Sequence, residues 1–390
     1  MRTRLSIEQM VLLGVVSAVV LSLIVFTVLL GPLHALRIAE AAFLRTVVDR
    51  VYEHAMNSGS PTLELRGVGA SGFEEVPTQE VRSATLIADG VEHPATVQQV
   101  KEDEDLALLL MVGEDSPLAP YSRVLLRAPA DASMLNATEA RWLCERVGAL
   151  VPWGQLMSVA VDGEAPRLLE VSEVIGPDFA RNRNLSMNEV VVLPLGGSGV
   201  TGSAQYERIR VCMEQCLSDT TTSHAWADSL AASVDRASVI SAVAALQLLG
   251  GGRVEENCSL VEDPVTKKFH VAIRTPRFRE VEDTAALGPW QRLVMEIPAW
   301  RAAYDSLLLS VLEGLDGSPM NDIRTMHAAR IRPIVLSDRQ KHAELSSDDP
   351  LAYPISVVHV ERAQSELHRR MDERFHQLRS RITNPSPPAP

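Results

Sequence analysis

Cysteine is scarce in this chain of 390 residues, and its spacing gives no support to a zinc ribbon, because no two of the four cysteines form a C-x-x-C pair. One or two disulfides are compatible with an oxidising exterior, and the sequence leaves their pairing open. An E-x-x-H motif occurs once, at residues 373–376, whereas a di-iron site needs it twice. We therefore predict no metal and no cofactor. The cysteines are Cys144, Cys212, Cys216 and Cys258.

Basic side chains are also few. The chain has 37 lysines and arginines against 50 aspartates and glutamates, which gives a formal net charge of -13. Binding to nucleic-acid phosphates needs a clustered basic face, and no segment of this sequence supplies one. Nucleic acid is therefore excluded as a predicted partner.

The N-terminal region contains a long run without charge. Residues 10–30 are 21 consecutive uncharged residues. As a helix they would span about 31 Å, close to the thickness of a hydrocarbon core. Arg2 and Arg4 precede the run, so we predict a transmembrane helix, a cytoplasmic N-terminus at 1–9, a helical stalk at 35–57 and an extracytoplasmic bulk. The alternative is a signal peptide cleaved near residues 39–41.

Two neighbouring segments indicate a pair of strands joined through a charged turn. They are A-D-G-V-E-H-P-A-T-V at 88–97 and D-L-A-L-L-L at 105–110, which begins with Asp105. Together they resemble a segment of the HtrA-type, trypsin-like serine proteases, in which the aspartate orients the catalytic histidine. The resemblance implies that role for Asp105 and a trypsin-like double β-barrel over residues 62–217. Segments 119–129 and 169–177 continue the family's order.

The same resemblance implies a nucleophile at Ser198. A predicted strand at 189–195 leads into a turn in which Gly196 and Gly197 precede that serine, and glycines there let backbone N–H groups converge on an oxyanion. The turn departs from the family pattern at two positions. Gly197 stands where the family has Asn or Asp, and Val200 stands where it has a second glycine.

The expected catalytic base is missing. In the family it lies about thirty residues before the aspartate, and residues 69–80 contain no histidine. Without a base the serine hydroxyl stays protonated. We therefore predict a membrane-anchored binding or scaffold module that has lost peptidase activity and has a protein or peptide partner. The alternative is an active serine endopeptidase that recruits His224 or His270.

A third interpretation rests on the G-x-G-x-x-G match at residues 197–202, which follows an apolar strand as in nucleotide-binding proteins. That fold requires a second strand after the following helix, but residues 218–223 are a polar turn. Nucleotide binding therefore stays a minor alternative.

The C-terminal region, residues 223–382, is predicted to be mainly helical. Helices are expected at 223–249, ended by the glycines at 250–252, and at 289–315 and 355–382, with a β-hairpin at 258–274. The last helix has an apolar stripe that either forms a homo-oligomer or docks on its own domain. Residues 383–390 are expected to be a disordered proline-rich tail. The predicted fold class is α+β, with a transmembrane helix, a double barrel and a mainly helical C-terminal region.

Overall fold

β-Strands dominate the N-terminal half of the described chain. The computed structural model describes residues 62–69, 80–102, 105–129, 131, 133–164, 166–185, 192–194, 209, 211, 223–263, 265–279, 288–315, 318–337 and 357–383. In strand β2 (Arg82–Ala88) the buried residues are Ala84, Leu86 and Ala88, and the residues between them are partly exposed. Side chains that alternate in this way give a sheet with one apolar face. That face has to be covered.

Seven of the described strands cover it by closing into one barrel. The strand order is β1-β2-β3-β4-β5-β7-β6, and β1 pairs in parallel with β6 to close the ring. Leu65, Leu86, Leu110 and Val124 lie in a single buried cluster, so the barrel interior is packed with side chains. The strands are β1 Thr62–Arg66, β2 Arg82–Ala88, β3 Val91–Glu102, β4 Asp105–Val112, β5 Arg123–Arg127, β6 Gly154–Val161 and β7 Arg167–Glu173.

Local sequence explains one of the barrel's hairpins. Asp89 and Gly90 connect β2 to β3 with φ values of 49° and 77°, the conformation of a two-residue hairpin turn that follows the twist of the strands. Strands β3 and β4 pair directly up to Glu102 opposite Asp105. The predicted pair of strands around 88–97 and 105–110 is therefore confirmed.

The predicted double β-barrel is wrong. The described strands form one closed barrel that ends with β7, and β8 (Val192–Pro194) joins a separate three-stranded sheet of order β10-β9-β8. Strand β9 spans Cys258–Asp263 and β10 spans Lys268–Ile273. The correction has a physical reason. A short apolar strand can pair with any available edge, and its periodicity does not say which sheet it joins.

The membrane-anchored architecture and the localisation that followed from it are also corrected. None of the helices within the described ranges combines the length and apolar character required to cross a membrane. The predicted span at 10–30 and the stalk at 35–57 lie outside the described residues.

Helices pack around the three-stranded sheet to form a second core. The central helix α4 (Arg236–Leu248) is buried along almost its whole length, because small and apolar residues occupy every face. Trp290, Leu293 and Phe269 pack in the same cluster. The described helices are α1 Asn136–Arg146, α2 Pro177–Asn182, α3 Ser223–Ser233, α4 Arg236–Leu248, α5 Val254–Asn257, α6 Pro289–Glu296, α7 Pro298–Gly314, α8 Ser318–Ser337 and α9 Val357–Thr383.

The C-terminal predictions hold except at two breaks and one omission. The predicted helix at 223–249 is two helices, because Asp235 accepts a hydrogen bond from the backbone N–H of Ser238 at 2.7 Å and starts α4 anew. The helix predicted at 289–315 breaks before Pro298. Helix α8 was not predicted. The hairpin and the long last helix are confirmed, and residues 384–390 lie outside the described residues.

Candidate binding cavity between helices α8 and α9

Of the residues predicted for the catalytic pair and the oxyanion turn, the structure describes only Asp105. Asp105 opens β4 at the tip of a barrel hairpin, whereas β8, which leads toward Ser198, belongs to the other sheet. Ser198, Gly196, Gly197 and the whole 197–202 motif lie outside the described residues.

The two histidines proposed as substitute bases lie in the C-terminal part. His224 is in α3. His270 is in β10, where its Nδ1 lies 3.8 Å from the Asp235 carboxylate that caps α4. Strands β8 and β10 flank β9, and Val192 and His270 both lie opposite Val261.

A cavity of about 340 Å³ lies between α8 and α9. Its volume is at the lower end of the range typical of small-molecule sites. The lining combines aliphatic side chains with polar side chains from both helices. The aliphatic residues are Ala328, Ala329, Val335 and Val360, and the polar residues are Thr325, Arg332, Glu361, Gln364, Ser365 and His368.

Several polar side chains of the lining already use their hydrogen-bond donors within the protein. Thr325 Oγ1 donates to the Asn321 carbonyl at 2.8 Å, and Ser365 Oγ donates to the Glu361 carbonyl at 2.9 Å. Gln364 Nε2 donates to the Ser133 carbonyl at 3.1 Å. Each of these groups therefore keeps an oxygen lone pair that is free to accept.

A buried carboxylate fixes the imidazole of His368. Glu139, in α1, is 1% exposed, and its Oε1 lies 2.7 Å from His368 Nε2. An ionised carboxylate only accepts, so Nε2 is the donor in this contact. Glu139 Oε2 and the Nδ1 of His327 in α8 are both buried without a hydrogen-bond partner among the described residues. Three helices thus meet at this group of ionisable side chains.

Burial lowers the pKa of His327 below its ordinary 6.5, and Arg330 and His368 lower it further, against the opposing effect of Glu139. The native state therefore favours neutral His327, while the unfolded chain takes up a proton more readily. We expect the free energy of unfolding to fall as the pH drops from about 6.5 through the lower folded pKa. Urea titrations at several pH values measure this effect.

The His327→Gln variant should lose that part of the pH dependence, because glutamine does not titrate. His376→Gln is the matched control, since His376 lies on the exposed face of α9. If His327→Gln and the wild type lost stability equally on acidification, the assignment to His327 would be wrong.

Ion pairs hold α8 against α9 around the cavity. Arg324 makes two hydrogen bonds to the Asp372 carboxylate, at 3.0 and 2.6 Å. At the cavity wall Arg332 pairs with Glu361, and both side chains are more than a third exposed. Solvent screens this exposed pair, so it contributes little stability. Its significance is that it places opposite charges at the opening of the cavity.

A buried three-residue ion cluster positions α1, and so Glu139, against the barrel. Arg127 and Glu170 lie directly opposite each other on β5 and β7, and Arg141 of α1 reaches the same carboxylate at 3.1 Å. Burial alone would raise the pKa of Glu170, but the guanidinium groups of Arg127 and Arg141 outweigh it and the pKa is lowered. Arg141 also donates to the carbonyls of Pro152 and Gly154, at 2.9 and 2.8 Å.

The sequence did not single out Glu139, His327 or His368. Glu139 and His368 are 229 positions apart, and no local pattern joins them. The E-x-x-H motif at 373–376 lies elsewhere on α9. There Glu373 pairs with Arg369 on an exposed surface, as expected for a solvated helix face. Among the described residues no cluster of three or more His, Cys, Asp or Glu side chains is arranged to hold a metal ion.

Two of the four cysteines can be located. Cys144 of α1 and Cys258 of β9 are buried and free, and burial raises the pKa of both thiols. Cys212 and Cys216 lie outside the described residues. The described thiols are therefore core residues without the exposure and low pKa of reactive cysteines.

Comparisons with known proteins give no family. No family model matches the chain, and no curated protein matches it. Among solved structures, the crystal structure of a Helicobacter pylori proinflammatory kinase, CtkA, is similar over 71% of this chain and 94% of that chain, with 10% identity and a TM-score of 0.28. At that score the likeness supports no statement about fold or function.

Proposed function

We propose that this protein is a noncatalytic binding module that takes up part of a protein or peptide partner in the cavity between α8 and α9. One observation supports this most directly. Both hydroxyl groups of the lining, those of Thr325 and Ser365, donate to carbonyls of their own helices. A serine or threonine nucleophile needs a base that accepts its proton. In this cavity both hydroxyl protons are donated to backbone carbonyls instead, which suits a binding site better than a nucleophile.

The composition of the lining also suits binding. Aliphatic side chains cover one part of the wall, while a few fixed polar groups set orientation, which is the usual division of roles in a ligand pocket. The Glu139 contact and the Arg324 pair fix the helices that carry these groups, so little order has to be gained when a partner binds.

Filling the cavity should abolish binding. Peptides selected from a displayed random library against the wild type are expected to lose most of their affinity for Ala329→Trp, because the indole occupies the opening. Met326→Trp is the matched control, since Met326 is exposed on the same helix outside the lining and should leave binding intact. Circular dichroism checks that both variants fold. Peptides that bind Ala329→Trp as well as the wild type would overturn the proposal.

A serine endopeptidase that uses Ser198 is the second candidate. One observation favours it. His270 lies in β10, in the same sheet as β8, and its imidazole is 3.8 Å from the carboxylate of Asp235. A fluorophosphonate probe decides between the two candidates. If the protein is a noncatalytic binding module, we expect the probe to leave it unlabelled. Labelling that is lost in both Ser198→Ala and His270→Gln would establish the peptidase and exclude the noncatalytic proposal.

A further inference from the structure

The cavity between α8 and α9 offers many acceptors and few donors. Thr325 and Ser365 have already donated their hydroxyl protons to backbone carbonyls, so each presents lone pairs. The Gln364 amide nitrogen is bonded to Ser133, which leaves its carbonyl oxygen to accept. A ligand that satisfies these groups has to be a hydrogen-bond donor.

The charges of the lining favour a cationic ligand. Arg332 is the cationic side chain of the lining, and Glu361 already pairs with it. An incoming anion would meet Glu361 and the acceptor lone pairs, whereas an incoming cation would share the Glu361 carboxylate. Hydrogen bonds to a charged partner are about twice as strong as neutral ones.

The aliphatic part of the wall limits the shape of that cation. Ala328, Ala329, Val335 and Val360 offer apolar surface, which suits methylene groups. An ammonium group on an unbranched aliphatic stem would match both parts of the lining, with its three N–H donors on the acceptors and its stem on the apolar surface.

We propose that the cavity binds an alkylammonium group, either the side chain of a lysine in a partner protein or a free aliphatic amine. This inference rests on the proposed binding function and adds the chemistry of the ligand. Titration calorimetry with four probes tests it: the blocked amino acids N-acetyl-lysine amide, N-acetyl-norleucine amide and N-acetyl-glutamate amide, and free 1,5-diaminopentane.

The lysine compound or the diamine should bind, and the norleucine and glutamate compounds should bind at least tenfold more weakly, because they lack the donor or reverse the charge. Binding of the lysine compound alone would identify a protein side chain as the source. Binding of the diamine alone would identify a free amine, and it would overturn the proposed protein or peptide partner. Glu361→Gln should weaken the ammonium ligand about tenfold or more, since it removes the shared charge and leaves Arg332 to repel the cation.

Ala329→Trp should abolish ammonium binding, and Met326→Trp should retain it. Equal affinities for the lysine and norleucine compounds would overturn the inference, as would an unchanged affinity in Glu361→Gln. The two proposals fail separately. If library peptides bind the cavity but show no preference for lysine, the binding function stands and the ammonium specificity is wrong.

Discussion

Glu170→Ala is expected to lower the free energy of unfolding by about 3–5 kcal/mol, because it removes the anion between two buried cations. The side chains of Arg127 and Arg141 are 6% and 7% exposed, so neither can recover hydration without unfolding its surroundings. The change also removes one of the contacts between α1 and the barrel, the ion pair of Arg141. Urea denaturation followed by circular dichroism measures the loss.

Glu366→Ala is the matched control for this prediction. Glu366 pairs with Arg369 on the exposed face of α9, where water solvates both charges, and its removal should leave the urea midpoint unchanged. Equal midpoints for Glu170→Ala and the wild type would show that the buried cluster does not hold α1 against the barrel. In that case the position of Glu139 would have to be fixed by other contacts.

Gly250→Ala is expected to destabilise the protein by about 2–5 kcal/mol. Gly250 has φ +101°, which a residue with a Cβ rarely adopts, and an added Cβ would lie 2.3 Å from the Arg279 carbonyl oxygen. Strain and overpacking therefore act together at this position. Thermal unfolding and urea titration measure the combined effect.

The neighbouring Gly251 separates the two causes. Its φ is +106°, but open space surrounds the position of an added Cβ. Gly251→Ala should therefore lower the free energy of unfolding through backbone strain alone, by about 1–2 kcal/mol. If Gly250→Ala were no more destabilising than Gly251→Ala, the close approach to Arg279 would not matter for stability.

Short-range features of the fold were predictable because a few neighbouring residues determine them. The three glycines at 250–252 end α4 as expected, since each adopts a positive φ that other residues resist. The apolar stripe of α9 predicted a long helix with one buried face. Val360, Leu367, Met371, Phe375 and Leu378 are all buried there.

Resemblance to a protease segment was less informative at long range. The segment at 88–110 folds as paired strands, yet the apolar run before Ser198 contributes a strand to a sheet outside the barrel. Strand pairing depends on which edges the rest of the chain leaves open. A sequence motif determines the local turn, but it does not determine with which strand the neighbouring segment pairs.

The sequence by itself determined the turns, the helix ends, the amphipathic last helix and the acidic net charge, because each follows from residues within a few positions or from composition alone. Tertiary structure decided the single closed barrel, the separate sheet that contains β8, and the cavity between α8 and α9. The contact between Glu139 and His368 joins residues 229 positions apart. Burial in a shared core brings such groups together, and no local pattern encodes which distant helix will supply the partner.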